Sequence, residues 1–260
     1  MTPPADPALS HFLIVNAFAF IMVLCRAGAA IALLPGLGED VFPASVRVGV
    51  AVTLALVIMP IVQPALPPPP ADFGHLALLI MGEIAAGLFL GWLARLPALA
   101  LPAAMQIISI TTGLTSLFNP DTNFGAQTSI LGRLFGVAGP TLILSTGLYA
   151  LPLQALLGSY AALPPGHLPP LDDVTHAAVR AVTAHFALAV QLATPFLLLA
   201  TIWHAGLGLI ARLVPHLQVY FTALPGQILG GLFVLALIGG ALTQTWLSST
   251  AHRFATLPGG

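Results

Sequence analysis

Two long stretches near the C-terminal end of this chain contain no acidic side chain, lysine or arginine. The first runs from Ala181 to Ala211 and the second from Leu213 to His252. Stretches this apolar can satisfy their backbone N–H and C=O groups away from water as helices, because a helix makes its hydrogen bonds within the segment. They predict two helices buried in lipid or in a membrane assembly, joined by a polar, proline-containing elbow from Arg212 to Gly226.

The charge content of the whole chain supports a membrane location. Only 6% of the 260 residues are charged, 58% are hydrophobic, and the mean hydropathy is +0.99. A soluble domain has about 25% charged residues, enough to cover a surface that faces water. The composition therefore predicts an all-α, polytopic integral membrane protein in contact with membrane lipid. A net charge of −1 without a basic patch argues against a nucleic-acid partner.

Six apolar segments are long enough for the ~20 helical residues that cross a bilayer. A seventh, Pro97–Leu117, contains Pro102 and several polar residues, so we expect a buried or re-entrant element instead of a lipid-facing span. Prolines inside most segments predict kinked helices arranged as hairpins. The six segments are Phe12–Leu34, Val46–Val62, Leu76–Leu96, Leu134–Leu156, Ala178–Ala211 and Val219–Leu247.

A proline-rich linker from Leu163 to Asp173 is the clearest internal boundary. It divides the chain into residues 1–170 and residues 171–260. Asp172 and Asp173 follow the prolines and lie where the next helix is expected to begin, a favourable place for acidic groups because the helix N-terminus carries partial positive charge.

Arg26 and Glu83 are ionisable residues within apolar segments. A charge at the bilayer centre costs ~2.5–3.5 kcal/mol on insertion scales, so Glu83 must be paired, protonated, or facing water or protein. A contact between Glu83 and Arg26 from adjacent segments is one solution. A structural ion pair and a proton-coupled or gating role both remain open on this basis.

Three pairs of glycines are spaced four residues apart, which places both members on one helix face and lets another backbone approach closely. They are Gly87 with Gly91, Gly132 with Gly136, and Gly226 with Gly230. Packing within the chain and packing against other subunits explain them equally well.

The motifs of common catalytic and metal sites are missing from the sequence. There is no His-Glu-x-x-His pattern, no Gly-x-Ser-x-Gly elbow and no glycine-rich phosphate loop before a helix. Cys25 is the single cysteine and so has no second cysteine for a disulfide or a metal site. We therefore expect no catalytic residue, no cofactor and no metal ion.

Three stretches together resemble the FliR family of flagellar export-gate proteins, which is related to the T subunit of virulence type III secretion systems. The first is the elbow, the second is Leu157–Gly166 with its Ser-Tyr and Pro-x-Gly elements, and the third extends from Glu83 to Pro120. The matching positions in the elbow are Arg212, Pro215, Gln218, Val219, Phe221, Leu224 and Pro225, and those in the third stretch are Glu83, Gly87, Gly91, Gln106, Gly113, Phe118, Asn119 and Pro120.

The resemblance implies a P-like helical part at 1–170 followed by a Q-like helical hairpin at 171–260. It implies assembly with P-type and Q-type export-gate subunits, and with the B-type export component, at the centre of the flagellar basal body in the bacterial inner membrane. Unfolded flagellar subunits would pass through the resulting pore. In such assemblies the apolar hairpins can sit above the bilayer, covered by neighbouring subunits.

The resemblance also assigns roles to particular residues. A pore-plugging loop would fall at 112–123, with Leu117, Phe118, Asn119 and Pro120 as plug candidates. The tip of the Q-like hairpin, with Arg212, Pro215, Gln218 and Pro225, would make assembly contacts. Two alternatives remain: a T subunit of a virulence type III system, and a secondary transporter that uses broken helices and Glu83.

Overall fold

A computed structural model describes residues 7–39, 42–115, 129–166, 171–213 and 219–259 of the chain. Within these ranges the regular structure is helical, which confirms the prediction of an all-α protein. The elements are α1 (Pro7–Leu33), α2 (Ala44–Val62), a short 3-10 helix (Gln63–Ala65), α3 (Phe73–Thr111), α4 (Ile130–Ser145), α5 (Ala150–Ala162), α6 (Leu171–Leu213) and α7 (Val219–Ala255).

Five of the described helical segments are long and apolar enough to cross a membrane, and a sixth span is reached if α4 and α5 together count as one broken span. This agrees with the predicted polytopic membrane protein. The three longest helices, α3, α6 and α7, have 39, 43 and 37 residues. At 1.5 Å per residue each is ~55–65 Å long, well beyond the ~30 Å hydrocarbon core.

The expected break at Pro97 is wrong, because α3 continues as one helix from Phe73 to Thr111 with Pro97 and Pro102 inside it. Each proline removes one N–H from the helical ladder but has a backbone φ that suits a helix. Burial stabilises the segment after the first proline, where Leu101, Met105 and Ile108 are fully buried. Most of the described residues of this segment are at least partly buried, as expected, although Leu99 and Ile110 are exposed, and the segment continues α3 instead of forming a re-entrant element.

The expectation of one helix from Leu134 to Leu156 is also wrong. The chain leaves α4 after Ser145 and starts α5 at Ala150. Gly147 between them has a φ of +76°, and its N–H donates to the Leu144 carbonyl at 3.3 Å. A left-handed residue cannot continue a right-handed helix, and glycine adopts that conformation without steric penalty.

The helices form two compact units that draw on interleaved parts of the chain. The first unit comprises Met1–Arg95, Ile143–Val179 and Ala251–Gly260, and the second comprises Leu96–Leu142 and Arg180–Thr250. The predicted division into residues 1–170 and 171–260 is a division along the sequence, whereas these two units are defined by contacts. The division along the sequence stays a prediction.

Close contact between α1 and α3 organises the first unit. A Cβ added at Gly87 would overlap the carbonyl oxygen of Arg26, and one added at Gly91 would lie 2.6 Å from the carbonyl oxygen of Ala30. These two glycines therefore let the backbones of the two helices approach directly. The adjacent core is apolar and contains Val23, Ala27, Ala30, Ala55, Ile58, Val62, Leu90, Leu156 and Tyr160.

The second unit is held partly by side chains that bond to the proline-containing part of α3. The Trp246 indole N–H donates to the Pro97 carbonyl at 3.0 Å, and Trp246 is fully buried. His185 Nδ1 lies 2.9 Å from the Leu96 carbonyl oxygen and must be the donor there, because a carbonyl oxygen can only accept. These bonds fix α6 and α7 against α3.

Candidate functional site

A buried ion pair between α1 and α3 is the most unusual polar feature of the described chain. The Arg26 guanidinium donates from Nε to Glu83 Oε2 at 2.7 Å and from Nη2 to Glu83 Oε1 at 2.9 Å. Both residues are only 1% exposed. A two-point pair of this kind fixes the orientation of both side chains and so defines how α1 and α3 are aligned.

Arg26 also contacts the end of α5. Nη1 donates to the Ser159 hydroxyl at 3.3 Å, Nη2 donates to the Leu163 carbonyl at 3.0 Å, and the guanidinium carbon lies 4.1 Å from the centre of the Tyr160 ring. The Ser159 hydroxyl in turn donates to the Leu156 carbonyl at 2.6 Å. One arginine thereby connects three helices and the first residue of the proline-rich linker.

These contacts are what a buried charge requires. Removing a guanidinium and a carboxylate from water costs several kcal/mol each, and only close pairing and further hydrogen bonds offset that loss. Arg26 has such partners in Glu83, Ser159 and Leu163. The arrangement can hold the three helices in register.

A cavity of about 720 Å³ lies beside the ion pair within the first unit. We call it the α3 groove. Its α3 wall includes His75, Leu78, Gly82, Ala85 and Phe89, and its other walls include Arg26, Leu163 and Val174.

A smaller cavity of about 200 Å³ lies within the second unit, beside the C-terminal end of α3. Thr111, Trp203, Gln227 and Gly231 are among the lining residues. Gln227 Nε2 donates to the Thr111 carbonyl at 2.9 Å, which anchors the last turn of α3 to α7. Gly113 then leaves the helix with a φ of +76°.

This anchored end of α3 leads into the segment predicted to hold the plug. Residues 112–115 of that segment are described, whereas the plug candidates Leu117, Phe118, Asn119 and Pro120 lie outside the described residues. Their role stays a prediction.

The predicted hairpin tip is described in part. Arg212 lies exposed in the last turn of α6, where a cation is favourable against the negative end of the helix dipole. Pro225 lies inside α7. Pro215 and Gln218 lie outside the described residues.

The glycine pairs differ in what they face. Gly87 and Gly91 are used inside the chain, as described above. An added Cβ at Gly136 or Gly230 would meet no atom within 4 Å, so these two glycines face open space. Packing within the chain therefore explains Gly87 and Gly91, and packing of the other two pairs against further subunits stays a prediction.

The described part of the chain contains no group of three or more His, Cys, Asp or Glu side chains placed to hold a metal ion. Cys25 is a free, partly buried thiol.

Sequence reasoning missed several partners of the ion pair and of α3. Ser159 and Tyr160 belong to the stretch Leu157–Gly166, which carries part of the family resemblance, and its local sequence gives no sign of a contact with Arg26. The bonds from Trp246 to Pro97 and from Gln227 to Thr111 join residues far apart in the chain, so no local pattern could have found them.

Comparison with known proteins identifies the family. A family model described as Bacterial export proteins, family 1, matches residues 17–252. The flagellar biosynthetic protein FliR of Caulobacter vibrioides is 31% identical over 225 residues, which cover 86% of this chain and 90% of the relative. The Yop proteins translocation protein T of Yersinia pestis is 32% identical over 213 residues, 79% of this chain and 80% of the relative.

A FliR protein from a further organism agrees with this assignment. FliR of Escherichia coli is 26% identical over 213 residues, which cover 82% of this chain and 81% of the relative. The resemblance inferred from the sequence is thus confirmed. Because the family model spans nearly the whole chain, this protein belongs to family 1 of the bacterial export proteins.

Proposed function

We propose that this protein is an export-gate channel component of the flagellar type III secretion apparatus, which passes unfolded flagellar subunits across the inner membrane. The observation that carries the proposal is the 31% identity to a flagellar FliR protein along 90% of that protein's length. The role is structural and conductive: the chain would form part of the channel wall and carry out no chemical reaction.

The long helices support a role inside a larger assembly. Exposed apolar side chains occur along α6 from Val179, 58% exposed, to Leu213, 79% exposed. These positions are 34 residues apart, or ~51 Å of helix, whereas the hydrocarbon core is ~30 Å thick. Even a strongly tilted helix would leave some of these apolar side chains outside the lipid, which is consistent with cover by other protein chains.

We therefore infer assembly with P-type and Q-type export-gate subunits and with the B-type export component, at the centre of the basal body. Residues 1–170 would take a P-like place and residues 171–260 a Q-like place, with Arg212, Pro215, Gln218 and Pro225 at the hairpin tip. Co-expression with P- and Q-type subunits, followed by native mass measurement, tests this. A defined hetero-oligomer is expected, and recovery only as a free monomer or homodimer would refute the proposal.

A virulence-type T subunit is the second candidate, because the Yersinia pestis relative is 32% identical over 79% of this chain. Deletion of the gene in its own host separates the two candidates. Loss of filaments and motility is expected for a flagellar component, and loss of secretion with intact filaments is expected for the virulence component.

The plug proposal concerns residues 112–123, with Leu117, Phe118, Asn119 and Pro120 at its centre. Replacing Phe118 by alanine should increase leakage of small solutes through the assembled gate, since a smaller side chain closes a pore less completely. A matched control is Phe233→Ala, an exposed phenylalanine on α7. An unchanged leak in a normally assembled Phe118→Ala complex would refute the assignment.

A liposome experiment distinguishes the export-gate proposal from the alternative of a secondary transporter. It predicts solute uptake by the purified chain alone in liposomes, dependent on Glu83. The export-gate proposal predicts no such uptake.

A further inference from the structure

Within the second unit, the chain leaves α3 at a fixed place. Gln227 Nε2 donates to the Thr111 carbonyl at 2.9 Å, and Gly113 follows with a φ of +76°. An added Cβ at Gly231 of α7 would overlap the Thr112 side chain. The last turn of α3 and the residue after it are therefore held directly against α7.

The chain enters α4 at a second fixed place, which is also tied to α3. The backbone N–H of Ser129 donates to Gln106 Oε1 at 2.7 Å. The Ser129 hydroxyl in turn accepts the N–H of Gly132 at 3.0 Å, which is the hydrogen bond of a serine N-cap. Ser129 is 4% exposed, so water competes little for these bonds. Gln106 therefore holds the residue that precedes α4 against α3.

The two fixed places lie at the same end of α3. Gln106 and Thr111 are five residues apart, or ~7.5 Å along the helix axis. The predicted plug segment, residues 112–123, lies between the two places in the sequence. A chain as long as residues 114–128 could reach ~50 Å from a single anchor, but only ~25 Å from two anchors that lie together. The two glutamines therefore limit where any residue between them can lie.

The two glutamines make hydrogen bonds of opposite polarity. Gln106 must accept, because its partner is a backbone N–H, and Gln227 must donate, because its partner is a carbonyl oxygen. Glutamate has nearly the same shape as glutamine, but an ionised carboxylate only accepts. It can replace glutamine at position 106, whereas at position 227 it would place a carboxylate against a carbonyl oxygen. Side-chain packing alone would not distinguish the two positions in this way.

We propose that Gln106 and Gln227 are positioning residues of the resting gate. They hold the two ends of the segment between α3 and α4 together and so keep the proposed plug near this end of α3. The inference rests on the proposed function and on the plug proposal. It deepens both, because it names two residues outside the plug segment on which low leakage depends.

Leakage of small solutes through the assembled gate tests the proposal, in the assay described for Phe118→Ala. Gln106→Met keeps the side-chain length but removes the acceptor, so leakage should rise about tenfold, equivalent to ~1.4 kcal/mol. At about pH 8, where carboxylates are ionised, Gln106→Glu should stay near the wild-type leakage and Gln227→Glu should leak. The matched control is Gln191→Met, at an exposed glutamine on α6, which should leave leakage unchanged.

A distance measurement tests the anchor itself. Cys25 is the single cysteine, so Cys25→Ala gives a cysteine-free parent for labelling. Spin labels at Ile110 and Ile130, which are 59% and 53% exposed, report the separation between the end of α3 and the start of α4 by electron paramagnetic resonance. The distance distribution should be narrow in the labelled parent, broaden with Gln106→Met and stay narrow with Gln191→Met.

The outcomes separate this inference from the proposals on which it rests. If Phe118→Ala leaks while Gln106→Met neither leaks nor broadens the distances, the positioning proposal is overturned and the plug proposal stands. Equal leakage of Gln106→Glu and Gln106→Met in assembled complexes would also overturn it, because the loss would then not come from the acceptor. If no variant leaks, Phe118→Ala included, the plug proposal and this inference fail together, while a complex with the other subunits still supports the proposed function. If no such complex forms, the proposed function itself fails.

Discussion

The ion pair between Arg26 and Glu83 permits a quantitative prediction. Glu83→Gln removes the carboxylate that accepts two charged hydrogen bonds, at 2.7 and 2.9 Å, and leaves the Arg26 charge buried. Breaking a buried pair in this way costs ~3–5 kcal/mol. Because Ser159, Leu163 and Tyr160 continue to contact Arg26, we expect the lower end of that range.

A loss of ~3 kcal/mol corresponds to a fall of ~6–12 °C in the melting temperature for a protein of this size. Thermal unfolding of the detergent-purified protein, followed by tryptophan fluorescence, measures it. The control is Glu39→Gln, since the Glu39–Arg95 pair is longer at 3.8 Å and both side chains are more than a quarter exposed. That variant should lose less than ~1 kcal/mol.

Removing both charges should be less harmful than removing one. Replacement of Arg26 by methionine together with Glu83 by leucine takes away the unpaired charge, so the double variant should recover most of the lost stability. If Glu83→Gln melts within 2 °C of the wild type, roughly the effect of ~1 kcal/mol or less, the reasoning is refuted. Normal stability and assembly with lost export would instead indicate a gating or proton-coupled role for Glu83.

Two further predictions concern glycine packing and indole hydrogen bonds. Gly87→Ala should destabilise the first unit by ~1–3 kcal/mol, because its Cβ would overlap the Arg26 carbonyl, whereas Gly82→Ala should be nearly neutral in the same thermal assay. Equal melting temperatures for these two variants would contradict the close approach of α1 and α3. Trp246→Phe should lose ~1–3 kcal/mol with the bond to Pro97, whereas Trp203→Phe removes a buried N–H that has no acceptor among the described residues and should cost less than the Trp246 change. A larger loss for Trp203→Phe than for Trp246→Phe would contradict this ranking.

The sequence predicted the helical membrane class and the family correctly, since both depend on features that can be read locally. Charge depletion and long apolar runs mark helices that avoid water, whichever neighbours later cover them. The elbow and the Glu83 to Pro120 stretch carried the family resemblance, which the match to residues 17–252 confirmed.

The errors in helix boundaries share one cause. Proline at position 97 and glycine at position 147 are both local helix breakers, but α3 passes through the first and the chain turns at the second. A proline can remain inside a helix when the segment after it is well packed. After Pro97 the side chains of Leu101 and Met105 are fully buried. Helix propensity describes single residues and not their packing, so it could not distinguish the proline that stays inside a helix from the glycine that ends one.

The sequence by itself determined that the chain is an apolar, helical export protein with two charges in segments that disfavour charge. Only the tertiary structure decided that Arg26 meets Glu83, Ser159 and the Leu163 carbonyl, and that Gly87 and Gly91 bring the two backbones together. The physical reason is that hydropathy measures the free energy of moving a side chain out of water, which is a property of each residue type. Pairing, close approach and the open α3 groove depend on the distance and direction between atoms far apart in the chain.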